Sequence, residues 1–348
     1  MRGFRDRDFL VTRETLFFCV VGGLHPKDRV ISYLKYVPSM AGRWGNQKTR
    51  FRRVMRRYTL PNLLETFAFL QKNYPNYLFH SPDYHITMSA VPKKSIQKHL
   101  RPERKLSQLI RTSHPDELQE KVNRLTRLLS EHSNVPLEFW GVTGSILLDI
   151  HRPSVSDIDL TVYGLEGSLS VKDTLTETFA VPNSPIRRLK DESLKEWCRR
   201  TAKQHSLTFQ DAQKICERKW NRGIFEDTPF SIHPIQLETE IEEEYRDKRY
   251  YPKGLTTIRA LVSDNTNALF LPSSYGIKEV EILEGPQVSD VLEVTSFDSL
   301  YSSLAEMGEL IEVRGKLELV VDKKHRRRYH RVLVGSSDLP HQYIKVGE

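Results

Sequence analysis

Gly141-Val142-Thr143-Gly144-Ser145-Ile146-Leu147-Leu148, followed by Ser156-Asp157-Ile158-Asp159-Leu160-Thr161-Val162-Tyr163-Gly164, pairs a glycine-rich turn with an acidic strand at the centre of the chain. Residues 157–162 alternate acidic and aliphatic side chains as a strand does, so Asp157 and Asp159 share one side while Ile158 and Leu160 anchor the other in a core. Two carboxylates that close together suit one or two Mg²⁺ ions. The Gly144-Ser145 turn upstream brings backbone amides and a hydroxyl near a phosphate chain without side-chain obstruction. The plain alternative is an exposed acidic strand end, capping a helix or facing water.

Eleven residues separate Ser145 from Asp157. At that spacing the motif resembles that of the DNA-polymerase-β-like nucleotidyltransferases. In such enzymes a hydroxyl attacks an α-phosphate in line while pyrophosphate leaves, and a divalent metal offsets the charge that develops on the oxygens at both ends. The resemblance implies Mg²⁺ or Mn²⁺ as cofactor, Asp157 and Asp159 as metal ligands, Gly144 and Ser145 as holders of the triphosphate, and a nucleoside triphosphate as substrate. More distantly, the whole chain resembles uncharacterised archaeal proteins described only as predicted nucleotidyltransferases, which names no substrate.

The departure from that pattern is the third acid, which the superfamily places on a neighbouring strand. The candidate strand here is Phe230-Ser231-Ile232-His233-Pro234-Ile235. Its apolar face is Phe230 and Ile232, leaving Ser231 and His233 where the acid belongs. Asp227 and Glu238, on either side, are substitutes for it. Alternatively His233 binds metal or accepts the proton of the attacking hydroxyl, as a neutral imidazole can, or it is a structural histidine. Lys219, Arg222 and Lys203 either reach the triphosphate or are solvated. His151 approaches the metal or bonds the turn that aims Asp157. His80 with His85, and His325 with His330, have no partner set resembling a metal site.

The charge is unevenly placed. The net value is +8, yet residues 1–60 alone hold 14 Lys or Arg against 4 Asp or Glu. The basicity is densest over 43–57, where Arg43, Arg50, Arg52, Arg53, Arg56 and Arg57 interleave with Trp44, Phe51 and Tyr58. That mixture suits phosphate contacts with base stacking, and otherwise makes a solvated charged face. Three distant cysteines exclude a disulfide scaffold and a zinc module, and fit a reducing cytoplasm. Residues 16–23 could pass for a secretory signal, but acidic interruptions favour a buried strand. No apolar run is long enough to span a bilayer, so no membrane is expected.

At 348 residues two or three domains are expected. The sequence predicts a basic N-terminal α/β module over 1–110, with strands at 9–21 and 29–37 joined through Gly22-Gly23 and a helix at 61–72. A nucleotidyltransferase domain follows over 111–245, with a mixed sheet and helices at 118–129, 190–204 and 209–220. The last opens on a Thr208/Asp211 capping pair and stops at Gly223. Residues 246–348 read as short strands at 256–262, 277–283, 311–321 and 329–334, a small β-barrel with a basic hairpin tip at 323–331. The fold class is therefore α+β.

The leading expectation is a metal-dependent transferase moving a nucleoside monophosphate to a hydroxyl on nucleic acid, RNA ahead of DNA. The alternatives are a nucleic-acid-binding protein that kept the fold without the catalysis, and a transferase acting on a protein or a small molecule.

Overall fold

The computed structural model describes residues 2–45, 49–55, 60–336 and 339–347, the side chains of residues 60 and 61 excepted. Its architecture is mixed α and β, with seven α-helices and three sheets among the described residues. No helix is long and apolar enough to cross a membrane.

The first sheet comprises β1 (Phe9–Thr12), β2 (Phe17–Val20), β3 (Arg29–Pro38), β4 (Trp44–Gly45) and β5 (Arg50–Arg53), then, after helix α1 (Leu60–Asn73), β6 (Leu78–Ser81), β7 (Ile86–Pro92) and β8 (Ile96–Leu100). The single strand expected over 9–21 is a hairpin, because Thr15 takes a left-handed turn at φ 61° and returns the chain so that Phe9 faces Cys19. The β2–β3 hairpin through Gly22-Gly23 forms as expected.

The second sheet has the order β11-β12-β13-β10-β9. Here β9 is Trp140–Val142, β10 Ile158–Tyr163, β11 Ile186–Arg187, β12 Arg222–Phe225 and β13 Thr228–Ile235. The β10–β13 pair is parallel and its neighbours are antiparallel. Helices α2 (Pro102–Ile110), α3 (Glu117–Ser133), α4 (Gly144–Leu147), α5 (Leu165–Thr178), α6 (Asp191–His205) and α7 (Phe209–Arg218) complete this region. The core below the sheet joins Leu106 and Leu109 of α2, the α3 stripe Leu118, Val122, Leu125 and Leu129, and Trp140, Ile158, Leu160 and Ile232. Gly141 is needed there: a Cβ would lie 2.5 Å from Thr161 Oγ1 and 2.7 Å from Pro102. The Thr208/Asp211 capping box is present, but α7 ends at Arg218. Gly223 is no helix stop. It lies in β12, where a Cβ would press on the Arg187 carbonyl and the Phe230 ring.

The third sheet is built from β14 (Lys248–Asp264), β15 (Ser273–Glu284), β16 (Val291–Ser296), β17 (Leu310–Asp322), β18 (Arg327–Val334) and β19 (Tyr343–Val346). Its order is β14-β15-β16-β18-β17-β19, and β14 also pairs with β17.

The first sheet lies against the motif region. Phe9, Phe17, Tyr36 and Phe51 pack with Leu147, Leu148 and Ile150, the Gly45 amide donates to the Ile150 carbonyl at 2.9 Å, and Arg5 pairs with Glu238. The third sheet is tied in by Arg218 to Glu309 at 2.7 Å.

His25 closes the β2–β3 turn. Its Nδ1 accepts from the Ile31 amide at 3.3 Å, so Nε2 carries the proton and donates to the Phe4 carbonyl at 3.2 Å. Burial, opposed by Asp8 and assisted by Lys93, pushes its pKa down from 6.5 to about 4. The unfolded chain therefore binds this proton first, and stability should fall as pH drops from 6.5 toward 4, by at most ~3 kcal/mol from this residue. His25→Gln keeps a donor and an acceptor without titrating, so its denaturant-measured stability should fall less over that window. Parallel losses in the two proteins would contradict this role.

Candidate functional site

The site is built where β9 turns into α4 beside the start of β10. The Thr143 amide donates to the Asp159 carbonyl at 2.8 Å, which fixes the turn against the strand. Gly144 follows at φ +68°, a left-handed conformation that favours glycine. A Cβ at this position would lie 2.4 Å from Asp159 Oδ2, so the missing side chain is what makes room for the carboxylate. The chain then closes on itself: the Ile150 amide bonds the Ser145 carbonyl at 3.1 Å, and Ser145 Oγ reaches Ser156 Oγ at 3.3 Å. Ser156 Oγ also accepts from the Arg152 amide at 3.0 Å. Ser145 and Ser156 thus brace the loop that delivers Asp157.

The parallel register of β10 and β13 places Ser231 opposite Asp159 and His233 opposite Thr161, while β12 places Arg222 opposite Ser231. Arg222, Ser231 and Asp159 therefore form one row on one face of the sheet. Ser231 Oγ donates to Asp159 Oδ1 at 2.6 Å, and His233 Nε2 lies 3.0 Å from Ser231 Oγ and 3.6 Å from Asp159 Oδ1. An ionised carboxylate only accepts, so the single hydroxyl proton of Ser231 points to Asp159 and His233 must donate to Ser231 from Nε2. Burial, joined by Arg7, lowers His233 to about 4, with Asp159 acting the other way. The imidazole is neutral near pH 7.

The two acids differ. Repulsion from the Asp159 charge, with desolvation by surrounding protein atoms second, raises Asp157 from its ordinary value, against Lys35 and Arg53. For Asp159 burial acts upward, but the His233 hydrogen bond, Lys35 and the Ser231 hydroxyl overcome it and hold the carboxyl well below that range. Asp157 is exposed, whereas the Asp159 side chain is 18% exposed.

Lys35 and Arg7 are functional candidates that the sequence reading passes over. Lys35, 4% exposed on β3, acts on both acids. Its signal was a lysine inside the otherwise uncharged run Val30-Ile31-Ser32-Tyr33-Leu34 and Tyr36-Val37. Arg7 is buried at φ 66°, and its carbonyl accepts from Thr143 Oγ1 at 2.8 Å. No sequence signal marks it, because the contact depends on a backbone kink.

The other expected residues are distributed as follows. Lys219 is not brought to the acids: its ammonium is buried and donates to the carbonyls of Ser299 at 2.9 Å and Ser302 at 2.7 Å. Asp227 is an exposed turn residue paired with Arg187, and Glu238 is paired with Arg5, so neither joins the pair. His151 bonds Asp116 at 2.8 Å rather than the turn that aims Asp157. In β5, Arg53 shares the side of buried Phe51 and has Trp44 at 6.0 Å, whereas Arg52 lies over Phe69 at 5.7 Å. Within the basic segment Arg53 acts on Asp157, whereas Arg43 and Arg50 are exposed. Arg56 and Arg57 lie outside the described residues. Among the described residues no set of three His, Cys, Asp or Glu side chains is gathered to hold a metal.

Gly144→Ala should push Asp159 off Ser231 and strain the backbone, costing on the order of 1–3 kcal/mol. It should also weaken any cation bound by the acid pair. Mn²⁺ binding measured by electron paramagnetic resonance checks this, and unchanged affinity and stability would show that the turn does not constrain the carboxylate.

No protein-family profile matches the chain, and no solved structure matches it. An uncharacterised protein of Methanocaldococcus jannaschii is 32% identical to it over 346 residues, covering 98% of both chains. With likeness at that level running from end to end, the chain belongs to the same family as this archaeal protein.

Proposed function

We propose that the chain is a metal-dependent nucleotidyltransferase that moves a nucleoside monophosphate from a nucleoside triphosphate to a hydroxyl, with nucleic acid as acceptor. The observation that carries this reading is the left-handed Gly144 seated against the Asp159 carboxylate, with Asp157 two residues away. An acidic strand end that merely faced water would need no residue free of a Cβ at that point. The mixed sheet around β10 supports a nucleotidyltransferase-type centre. The pairing of β14 with both β15 and β17 supports reading the C-terminal unit as a small barrel.

Asp157 and Asp159 would hold Mg²⁺ or Mn²⁺. The donor set fits, since carboxylate repulsion favours a cation there and Mg²⁺ keeps its other positions for water and phosphate oxygens. When bound, the metal supplies charge stabilisation for phosphoryl oxygens. The protein's own part is positional. Ser231 and His233 hold Asp159 in one orientation, the Gly144-Ser145 turn offers backbone amides to the triphosphate, and Arg222 ends the row on the β12 side. Arg53 extends cationic character to the side covered by the N-terminal sheet. Lys219 has no part in it. Three free cysteines and a triphosphate substrate fit a cytoplasmic enzyme.

A second reading, a nucleic-acid-binding protein without transfer activity, is favoured by one observation: Asp227 and Glu238 are both committed to arginines away from the pair. Incubation with each α-labelled nucleotide, Mg²⁺ or Mn²⁺, and total RNA separates the two, since only the transferase labels an acceptor. Asp157→Asn and Asp159→Asn should each lower transfer at least about 100-fold, the scale at which a lost electrostatic stabiliser acts. Asp157→Asn should keep or raise the melting temperature at pH 7, because it removes a charge that Asp159 repels. His233→Ala should reduce transfer while sparing nucleotide binding. Transfer retained by the double Asp157/Asp159 variant would refute the assignment.

A further inference from the structure

The third sheet carries a second surface that the acid pair does not explain. Registers across β14, β17 and β18 align Arg249 with Val321 and Arg328, and Tyr251 with Leu319 and His330. Strand alternation puts these six side chains on one face, while Tyr250, Val320 and Tyr329, which intervene in sequence, are buried on the other. On the outer face Arg249 and Arg328 are exposed, Tyr251 is 36% exposed, and Leu319 and Val321 are half-buried. The His85 ring lies 5.0 Å from the Tyr251 ring at 38°, widening the aromatic area. In the exposed β17–β18 turn, Lys323 and Lys324 donate to the Arg246 and Glu242 carbonyls and His325 bonds Asp322, so Arg326 is the turn's outward cation.

The platform is rigid from behind. Tyr84 stacks on Tyr250 at 4.9 Å, Arg331 lies 3.6 Å over Tyr250, and Arg331 and Lys316 both pair with buried Glu318. Three nearby acids are engaged, while Glu242 and Glu244 beside the turn are exposed. Asp83 and Asp322 are buried and paired with Arg249 and with Arg327 and His325, and Glu243 holds Lys248. Arg326 and Arg328 make no ion pair among the described residues.

We infer that this face binds single-stranded nucleic acid, with Tyr251 and His85 stacking on bases and Arg328 and Arg326 tracking phosphates. Exposed cations in rows beside an accessible aromatic pair complement a chain that alternates phosphates and unpaired bases. A duplex hides its base faces and would leave Tyr251 without a partner. The inference does not rest on the transferase reading, since the acid pair and nucleotide take no part in it.

The test uses the full chain and a fluorescein-labelled single-stranded oligouridylate across a salt series. Tyr251→Ala should weaken binding about ten-fold or more with the salt slope unchanged, the signature of lost stacking. Arg326→Ser with Arg328→Ser, at exposed positions the fold does not use, should lower the salt slope by about 1.4, two phosphate contacts' worth. A 4-thiouridine probe should crosslink at Tyr251 or His85. Wild-type affinity and slope in both variants, or crosslinks confined to residues 43–53, would overturn the inference. So would equal affinity for a duplex, or capture by phosphatidylserine vesicles but not by the oligonucleotide. Transfer activity, measured separately, bears only on the acid pair.

Discussion

Asp159 is confined from three directions, and the centre of the molecule is arranged around that confinement. Its carbonyl takes the Thr143 amide, its Oδ1 takes the Ser231 hydroxyl, and its Oδ2 fills the space a Gly144 side chain would need. Each constraint arises from a different element: β9 and its turn, β13 in parallel register, and a backbone at positive φ. A single-residue slip between β10 and β13 would turn Ser231 and His233 away from Asp159. The buried faces of both strands, led by Ile158, Leu160, Phe230 and Ile232, prevent that slip.

Confining one carboxylate beside another creates a charge problem, and the N-terminal sheet is part of its solution. Lys35 from β3 acts on both acids and Arg53 from β5 on Asp157, and Arg7 is clasped to Thr143. The aromatic contact of Phe9, Phe17, Tyr36 and Phe51 with Leu147, Leu148 and Ile150 holds those cations in place. The basicity of the N-terminal region is thus divided: part is turned inward to offset Asp157 and Asp159, and part, including Arg43 and Arg50, faces outward.

The central strands were legible because they carry strong local patterns. Residues 157–162 alternate, the α3 leucines keep a helical period, and Thr208 with Asp211 announces a helix start. Helix α5 was not legible. Its buried stripe is Ser168, Val171, Thr174 and Leu175, and Ser168 and Thr178 hydrogen-bond to backbone carbonyls, so a hydrophobic pattern does not reveal it. The strands at 44–53 and 78–100 escaped for a related reason, since their partners are distant in sequence and the pairing decides them. At the site, the acid pair, Gly144 and the nearness of His233 were readable from spacing. The contribution of Lys35 and the withdrawal of Lys219 toward Ser299 and Ser302 were not, because both depend on packing between separate sheets.

On the reading proposed above, Gly144, Asp157 and Asp159 together form a divalent-cation site. Crystals soaked with Mn²⁺ and a non-hydrolysable nucleoside triphosphate, measured at the manganese edge, test it directly. An anomalous peak is expected within coordination distance of carboxylate oxygens from both Asp157 and Asp159, with the triphosphate over the Gly144-Ser145 turn. Nucleotide bound elsewhere, or a well-ordered acid pair with no manganese beside it, would rule out a cation site at this turn.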